Sequence, residues 1–484
     1  MIIELSSEQQ SLFEYIEQSQ SNVFVTGRAG TGKSTLLSHL TANTEKSFAV
    51  CAPTGVAALN VGGVTIHSLF TFPLGLLGEV EIARHLSKRT REVLRALDML
   101  VIDEVSMVSA DLMDAIDRAL RIARGRRNEP FGGAQIVMFG DPYQLAPVPP
   151  RDPSERAYIA ENYQSLWFFD AHVWRNTDLE RFELSEIFRQ SDADFKEILN
   201  AIRDGSVTQE MLDAINKAGN RFPPHDEVIR LATINETVNS VNHQRMDLIP
   251  EEPKIFKAVY SEGAEKAFGR ALPAETNLAL KVGAQVMFIK NDDASMTKGS
   301  NGSMVRRWVN GTIGTIVALP KSGLVVVDVD GEELEVGPAT WEKVRYEVEE
   351  DFDEGTGKTK EVLVPVTLAE FKQIPLRLAW AVTIHKSQGQ TYDEVQIDMG
   401  RGAFSPGQTY VALSRVRALT GLYLTRAILM RDVMVDKDVV RFMSGGSAMP
   451  ISIWRSKPPV QSICHPSRPV AFVVPGVWID SCHQ

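Results

Sequence analysis

Short apolar runs alternate along the chain with helix-period segments, and most runs stop at a cluster of small or polar residues. Val23-Phe24-Val25, Phe48-Ala49-Val50-Cys51, Met99-Leu100-Val101-Ile102 and Gln135-Ile136-Val137-Met138-Phe139 read as buried strands of an open α/β sheet. Leu12, Phe13 and Ile16 fall at helical spacing behind a candidate cap at Ser6 or Ser7, and the stretch 35–40 reads as a second helix. Trp167 to Trp174 close this unit. Leu184-Ser185-Glu186-Ile187 opens another, with helix period at Phe195, Ile198, Leu199 and Ile202 and a strand at 228–233.

From about 280 to 366 the pattern changes to short strands, at 284–289, 308–317, 324–329, 332–336 and 361–366. Asn310-Gly311 and Asp330-Gly331 are hairpin-type turns, so the segment predicts a small β-barrel inserted in the second α/β unit. The acidic stretch 349–360 predicts a solvated hairpin tip. The α/β pattern resumes at 376–380 and continues through strands at 395–399 and 422–425. Phe70 to Gly78 is apolar but rich in Gly and Pro, which predicts a small surface protrusion. Beyond Arg431 no period is sustained, and Gly445-Gly446 and Pro458-Pro459 predict an irregular extension.

Composition narrows the class without deciding it. The chain has 484 residues, enough for about three domains. It is 44% hydrophobic and 23% charged, and no run approaches the roughly 18 apolar residues of a membrane span. With no basic, apolar leader and only Cys51, Cys464 and Cys482, the expected home is a bacterial or phage-like cytoplasm or an equivalent reducing compartment. Cys464-His465 and Cys482-His483 lack C-x-x-C spacing and chelate poorly as adjacent pairs, which disfavours zinc. A net charge of −11 argues against a protein coated in nucleic acid, but not against one gripping a strand in a single basic channel.

The chemistry begins at Gly27-Arg28-Ala29-Gly30-Thr31-Gly32-Lys33-Ser34, between a strand and a helix. Its glycines let backbone N–H groups curl round an anion, and the helix N-terminus adds a positive dipole end. Lys33 is placed to reach β- and γ-phosphates and Ser34 to ligate Mg²⁺, which defines an NTP site. Asp103 and Glu104 follow the strand 99–102, where ligands bind in such sheets: Asp103 for Mg²⁺, Glu104 for the attacking water. Gln144, after the strand 135–139, is a candidate γ-phosphate reader. Thr54, in the turn Ala52-Pro53-Thr54-Gly55, offers a hydroxyl to a phosphate, and His385, Lys386, Ser387 and Gln388 form a loop of hydrogen-bonding groups. Arg189 and Arg415, in the second unit, are candidate arginine fingers across a cleft.

In this order the motifs resemble the Pif-one family of superfamily-one DNA helicases, with its RecD-like and Dda-like relatives, over about 5–425. The matching segments include L-S-S-E-Q, A-P-T-G-V-A-A, T-I-H-S, D-E-V-S-M, G-D-P-Y-Q-L, L-S-E-I-F-R-Q, R-W-V-N-G-T, V-T-I-H-K-S-Q-G and Y-V-A-L-S-R. The stretch 111–135 favours Pif-one over RecD, and Tyr143 stands where many members have Phe. The resemblance implies an α/β fold of two RecA-like domains, 1–183 and 184–283 with 371–430. It also implies an SH3-like barrel at 284–370, a wedge near 70–91, and an extension at 431–484. It implies ATP-driven 5′-to-3′ movement on single-stranded DNA and unwinding of duplex or forked DNA, G-quadruplexes and RNA–DNA hybrids, in replication, repair or recombination. Gln9 would contact adenine, and Gly27, Gly30, Thr31, Gly32, Lys33, Ser34, Thr35 and Gly389 would surround the nucleotide. Thr54, Gly55, His67, Asn310, His385, Lys386 and Ser387 would face DNA; Gln144, Arg189 and Arg415 would sense the γ-phosphate. A monomer is expected. A translocase that does not separate strands, and an NTP-controlled binding protein, are the rival readings; Glu104 and the two candidate fingers argue against the second.

Overall fold

The computed structural model describes residues 5–73, 75–187, 192–262, 264, 268, 272–292, 296–298, 304–353 and 358–445. Arg189, Cys464 and Cys482 lie outside the described residues. The first unit is a parallel sheet of β1 (Asn22–Gly27), β2 (Phe48–Ala52), β3 (Val64–Thr65), β4 (Met99–Ile102), β5 (Gln135–Phe139) and β6 (Leu179–Leu184), in the order β3-β2-β4-β5-β1-β6. Both faces are covered, which is why its strands read as continuous apolar runs. Along β1 the side chains alternate between two cores. Val23 and Val25 pack with Leu12, Ile16, Leu36 and Leu40 of the helices Ser7–Gln18 and Lys33–Asn43, while Phe24 faces Phe168 on the other side. Ser6 caps the first helix in a capping box with Gln9.

A second parallel sheet runs Ala381–Thr383, Arg230–Ala232, Val395–Asp398, Leu422–Leu424, with its own core around Phe195, Leu212, Ile397 and Val411. Between its strands the chain builds a five-stranded antiparallel sheet, in the order Glu332–Val336, Val325–Val329, Ile313–Ala318, Gln285–Phe288, Leu376–Leu378. Asp330 and Gly331 both take positive φ, the conformation a tight hairpin turn requires.

Several expectations are corrected. The strand expected at 361–366 is not part of that sheet: it belongs to a long hairpin, Ala339–Asp353 with Lys358–Gln373, and Leu376–Leu378 takes the fifth place instead. The acidic stretch continues this strand pairing as far as Asp353 and Lys358, so it is ladder rather than loop up to those residues. Phe70 and Phe72 do not protrude; they stack at 5.1 Å and are buried in the first core. The chain beyond Arg431 is not all irregular, because Lys437–Ser444 is a helix docked on the first unit. There Phe442 stacks on Phe169 at 4.1 Å and Val439 is buried.

Candidate active site and strand channel

The phosphate loop leaves β1 at Gly27 and enters the helix at Lys33. Gly27 has a positive φ, and a Cβ there would stand 2.7 Å from Thr31 Oγ1 and 2.9 Å from the Leu184 carbonyl, so no side chain fits. Gly30 and Gly32 take φ near +80°, which opens the loop for its N–H groups. Lys33 Nζ donates to the carbonyls of Gly27 (2.6 Å) and Arg28 (3.1 Å), folded over its own loop. Ser34 is exposed and Thr35 half-buried at the first helical turn. The Gln9 amide is engaged at both ends: Oε1 accepts from the Ser6 N–H, and Nε2 donates to Gly32 O at 3.2 Å and Thr31 O at 3.4 Å. Expected on adenine, it here latches the first helix to the phosphate loop.

Asp103 and Glu104 lie at the end of β4. Burial raises both carboxyls above their usual range, their mutual charge raises Glu104 further, and nearby Lys33 opposes the shift in each. Glu104 also takes a left-handed backbone, φ 49°, uncommon for a residue with a Cβ. Gln144 Nε2 donates to Asp141 at 3.0 Å.

The second unit supplies the facing wall. Tyr410 accepts the Ala29 N–H at 3.0 Å, reaching from the helix Gln408–Leu413 into the phosphate loop. Arg203 is buried against Asp141 at 3.3 Å and lies over the Tyr143 ring at 4.1 Å. Arg415 is buried too, and its guanidinium donates to the carbonyls of Val411, Ser387 and Gln390 and to Ser414 Oγ. Gln388 Nε2 crosses to Glu104 Oε2 at 2.9 Å. Tyr410 and Gln388 stand inside motifs legible in the sequence, but their contacts join residues hundreds of positions apart, which spacing alone does not reveal.

Beside this cleft is a cavity of about 590 Å³. It is lined by Thr54, Asn310, His385 and Lys386 together with Glu104 and Gln388, so most of the expected strand-facing set meets in one channel that touches the candidate catalytic carboxylate. Thr54 also caps the helix Gly55–Asn60, and Asn310 bonds Asn60 at 3.1 Å, tying the inserted sheet to the first unit. Lys290, Arg377 and Trp341 join the lining and were not singled out by sequence. Three expected residues are outside this lining, Gly55 among them as the first residue of the helix that Thr54 caps. Ser387 is fully buried with its hydroxyl on the Ile384 carbonyl at 2.7 Å, and His67 lines a separate groove of about 480 Å³ with Arg89 and Lys343. Burial lowers the pKa of both His67 and His385, favouring neutral imidazoles. Gly389 follows Gln388 with φ +81°, the left-handed region that favours glycine.

A phosphate cradle, paired strand-tip carboxylates, and a second α/β unit that faces them define a P-loop motor ATPase of the helicase type. The PIF1-like helicase model matches residues 4–213. The chain is 32% identical to the ATP-dependent DNA helicase Pif1 of Bdellovibrio bacteriovorus over 91% of this chain and 92% of that protein. It therefore belongs to the Pif1 family of superfamily-one DNA helicases. It spans about three fifths of the fungal and vertebrate relatives it matches (62% and 61%). Unliganded Pif1 from Bacteroides sp superposes with a TM-score of 0.77 at 34% identity, covering 94% of this chain and 98% of that one. Bacteroides Pif1 bound to ssDNA, at 35% identity and covering 92% and 96%, gives a TM-score of 0.62.

Proposed function

We propose that the protein hydrolyses ATP to move 5′-to-3′ along single-stranded DNA and open duplex ahead of it, acting as a monomer in the cytoplasm. The observation that carries this reading is the shared wall: Glu104 lines the same cavity as Thr54, Asn310, His385 and Lys386. Lys33 swings from its own loop to the β- and γ-phosphates, and Glu104 accepts from the attacking water. Arg415 and Arg189 neutralise charge on the transferring phosphoryl group when the cleft closes, which ties chemistry to domain motion. Ser34 and Asp103 fit Mg²⁺: both present hard oxygen donors, and two carboxyls desolvated beside one lysine favour an added cation. Bound there, Mg²⁺ would neutralise developing phosphate charge.

The five-stranded sheet, with 284–370, acts in this reading as an SH3-like insertion that walls the channel, on RecA-like domains at 1–183 and 184–283 with 371–430. The neutral His385 and the Lys386 ammonium suit backbone phosphates, which carry no sequence information, so G-quadruplexes and RNA–DNA hybrids are also within reach. DNA stacking averages about 1.4 kcal/mol per base-pair step, so one pair per ATP is affordable. The test is ATP hydrolysis with and without single-stranded DNA, for wild type and Glu104→Gln. Strong stimulation that vanishes in the variant is expected; turnover indifferent to DNA and RNA overturns the reading. Tailed duplexes with a 5′ or 3′ overhang then check polarity.

A further inference from the structure

The loop from His385 to Gln390 touches the strand channel and the catalytic groups at once. His385 and Lys386 line the channel. Gln388 Nε2 donates to Glu104 Oε2 at 2.9 Å and to Gln144 Oε1 at 3.4 Å. The Ser387 and Gln390 carbonyls hold Arg415 at 3.3 and 3.2 Å. Between these points the loop is stiff. The Gln388 N–H closes a tight turn on the His385 carbonyl at 3.3 Å, Lys386 N–H donates to Thr383 Oγ1 at 3.2 Å, and the Ser387 hydroxyl is anchored on Ile384. A displacement of His385 or Lys386 is therefore passed to Gln388 rather than absorbed.

We propose that Gln388 is a positioning residue that restrains Glu104 while the channel is empty, and that a DNA strand seated on His385 and Lys386 withdraws it. The inference rests on the DNA-dependent ATPase reading above and deepens it. To act, Glu104 needs a carboxylate oxygen free to accept from water. The Gln388 donor occupies Oε2, so that oxygen is not free to accept from water while the contact holds. The same amide donates to Gln144 Oε1, so one movement of the loop releases that contact on the expected γ-phosphate reader together with the one on Glu104.

The experiment measures ATP hydrolysis by full-length Gln388→Ala and wild type, without nucleic acid and at saturating oligothymidylate. The expected result is a rise of about tenfold in the DNA-free kcat, on the scale of one hydrogen bond. The DNA-saturated kcat and the KM for ATP stay at wild-type values, so the stimulation ratio falls by the same factor. Gln388→Asn, which keeps the amide but stops one methylene short, shifts the ratio the same way and serves if the alanine variant does not fold. A glutamine that merely braces the interface lowers both rates and the melting temperature together; that outcome, or an unchanged DNA-free rate, overturns the proposal. Wild type that ignores DNA overturns the motor reading instead, so the two failures are distinguishable.

Discussion

Tyr410 is where one side chain from the second unit reaches the nucleotide cradle. Its hydroxyl accepts the Ala29 N–H, and burial pushes its pKa up to about 12, so it stays protonated across the working pH range. Tyr410→Phe leaves that N–H without its partner, at a cost of about 1–2 kcal/mol. The expected outcome is a lower melting temperature and a raised KM for ATP, because the loop that binds phosphate loses a support. Arg203 is the larger risk. Replacing it with Ala strands Asp141 in a buried setting, where an unpaired charge costs about 3–5 kcal/mol. Chemical denaturation should show that loss, and Asp141→Asn in the same chain should recover part of it. The types of these residues were readable from sequence, but not their partners: Arg203 sits 62 positions from Asp141 and Ala29 381 from Tyr410.

Elements extend the same lesson. The helix Lys437–Ser444 carries no long apolar period, yet it docks through Val439 and Phe442, with Arg441 on Asp170 at 2.8 Å and the Trp167 Nε1–H donating to Asp436 at 2.9 Å. It returns the chain from the second unit to the first. Phe442→Ala removes a stacked ring and should cost about 3 kcal/mol, measured by thermal unfolding, with the phosphate loop intact. The long hairpin is the other late arrival. Its Tyr346 hydroxyl accepts the Val50 N–H at 3.2 Å, where the two-residue β3 leaves the edge of β2 uncovered, and Glu347 pairs with Arg89. Its strands were partly legible as apolar alternation. Its destination was not, because the face it covers belongs to another unit.

At the scale of the molecule, a chain of net charge −11 must bind a polyanion through local charge. Lys290, Arg377 and Lys386 line the channel and supply it. Affinity for single-stranded DNA should therefore fall steeply with salt. Lys386→Ala should weaken binding for all sequences alike and reduce the slope of log K against log salt by about one, in a fluorescence titration across salt concentrations.

The sequence by itself determined the phosphate cradle, the strand-tip carboxylates, most strands of both α/β sheets and the change to short antiparallel strands between them. Those features are local: a glycine-rich turn, a buried run and a hairpin turn each state their geometry within a few residues. Only the tertiary structure decided that Gln9 latches the loop, that Ser387 points inward, that Phe70 is core, and that Gln388 meets Glu104 across the cleft. Each of those outcomes depends on which surfaces meet when separately folded units pack, and contacts between residues far apart in the chain leave no periodicity to read.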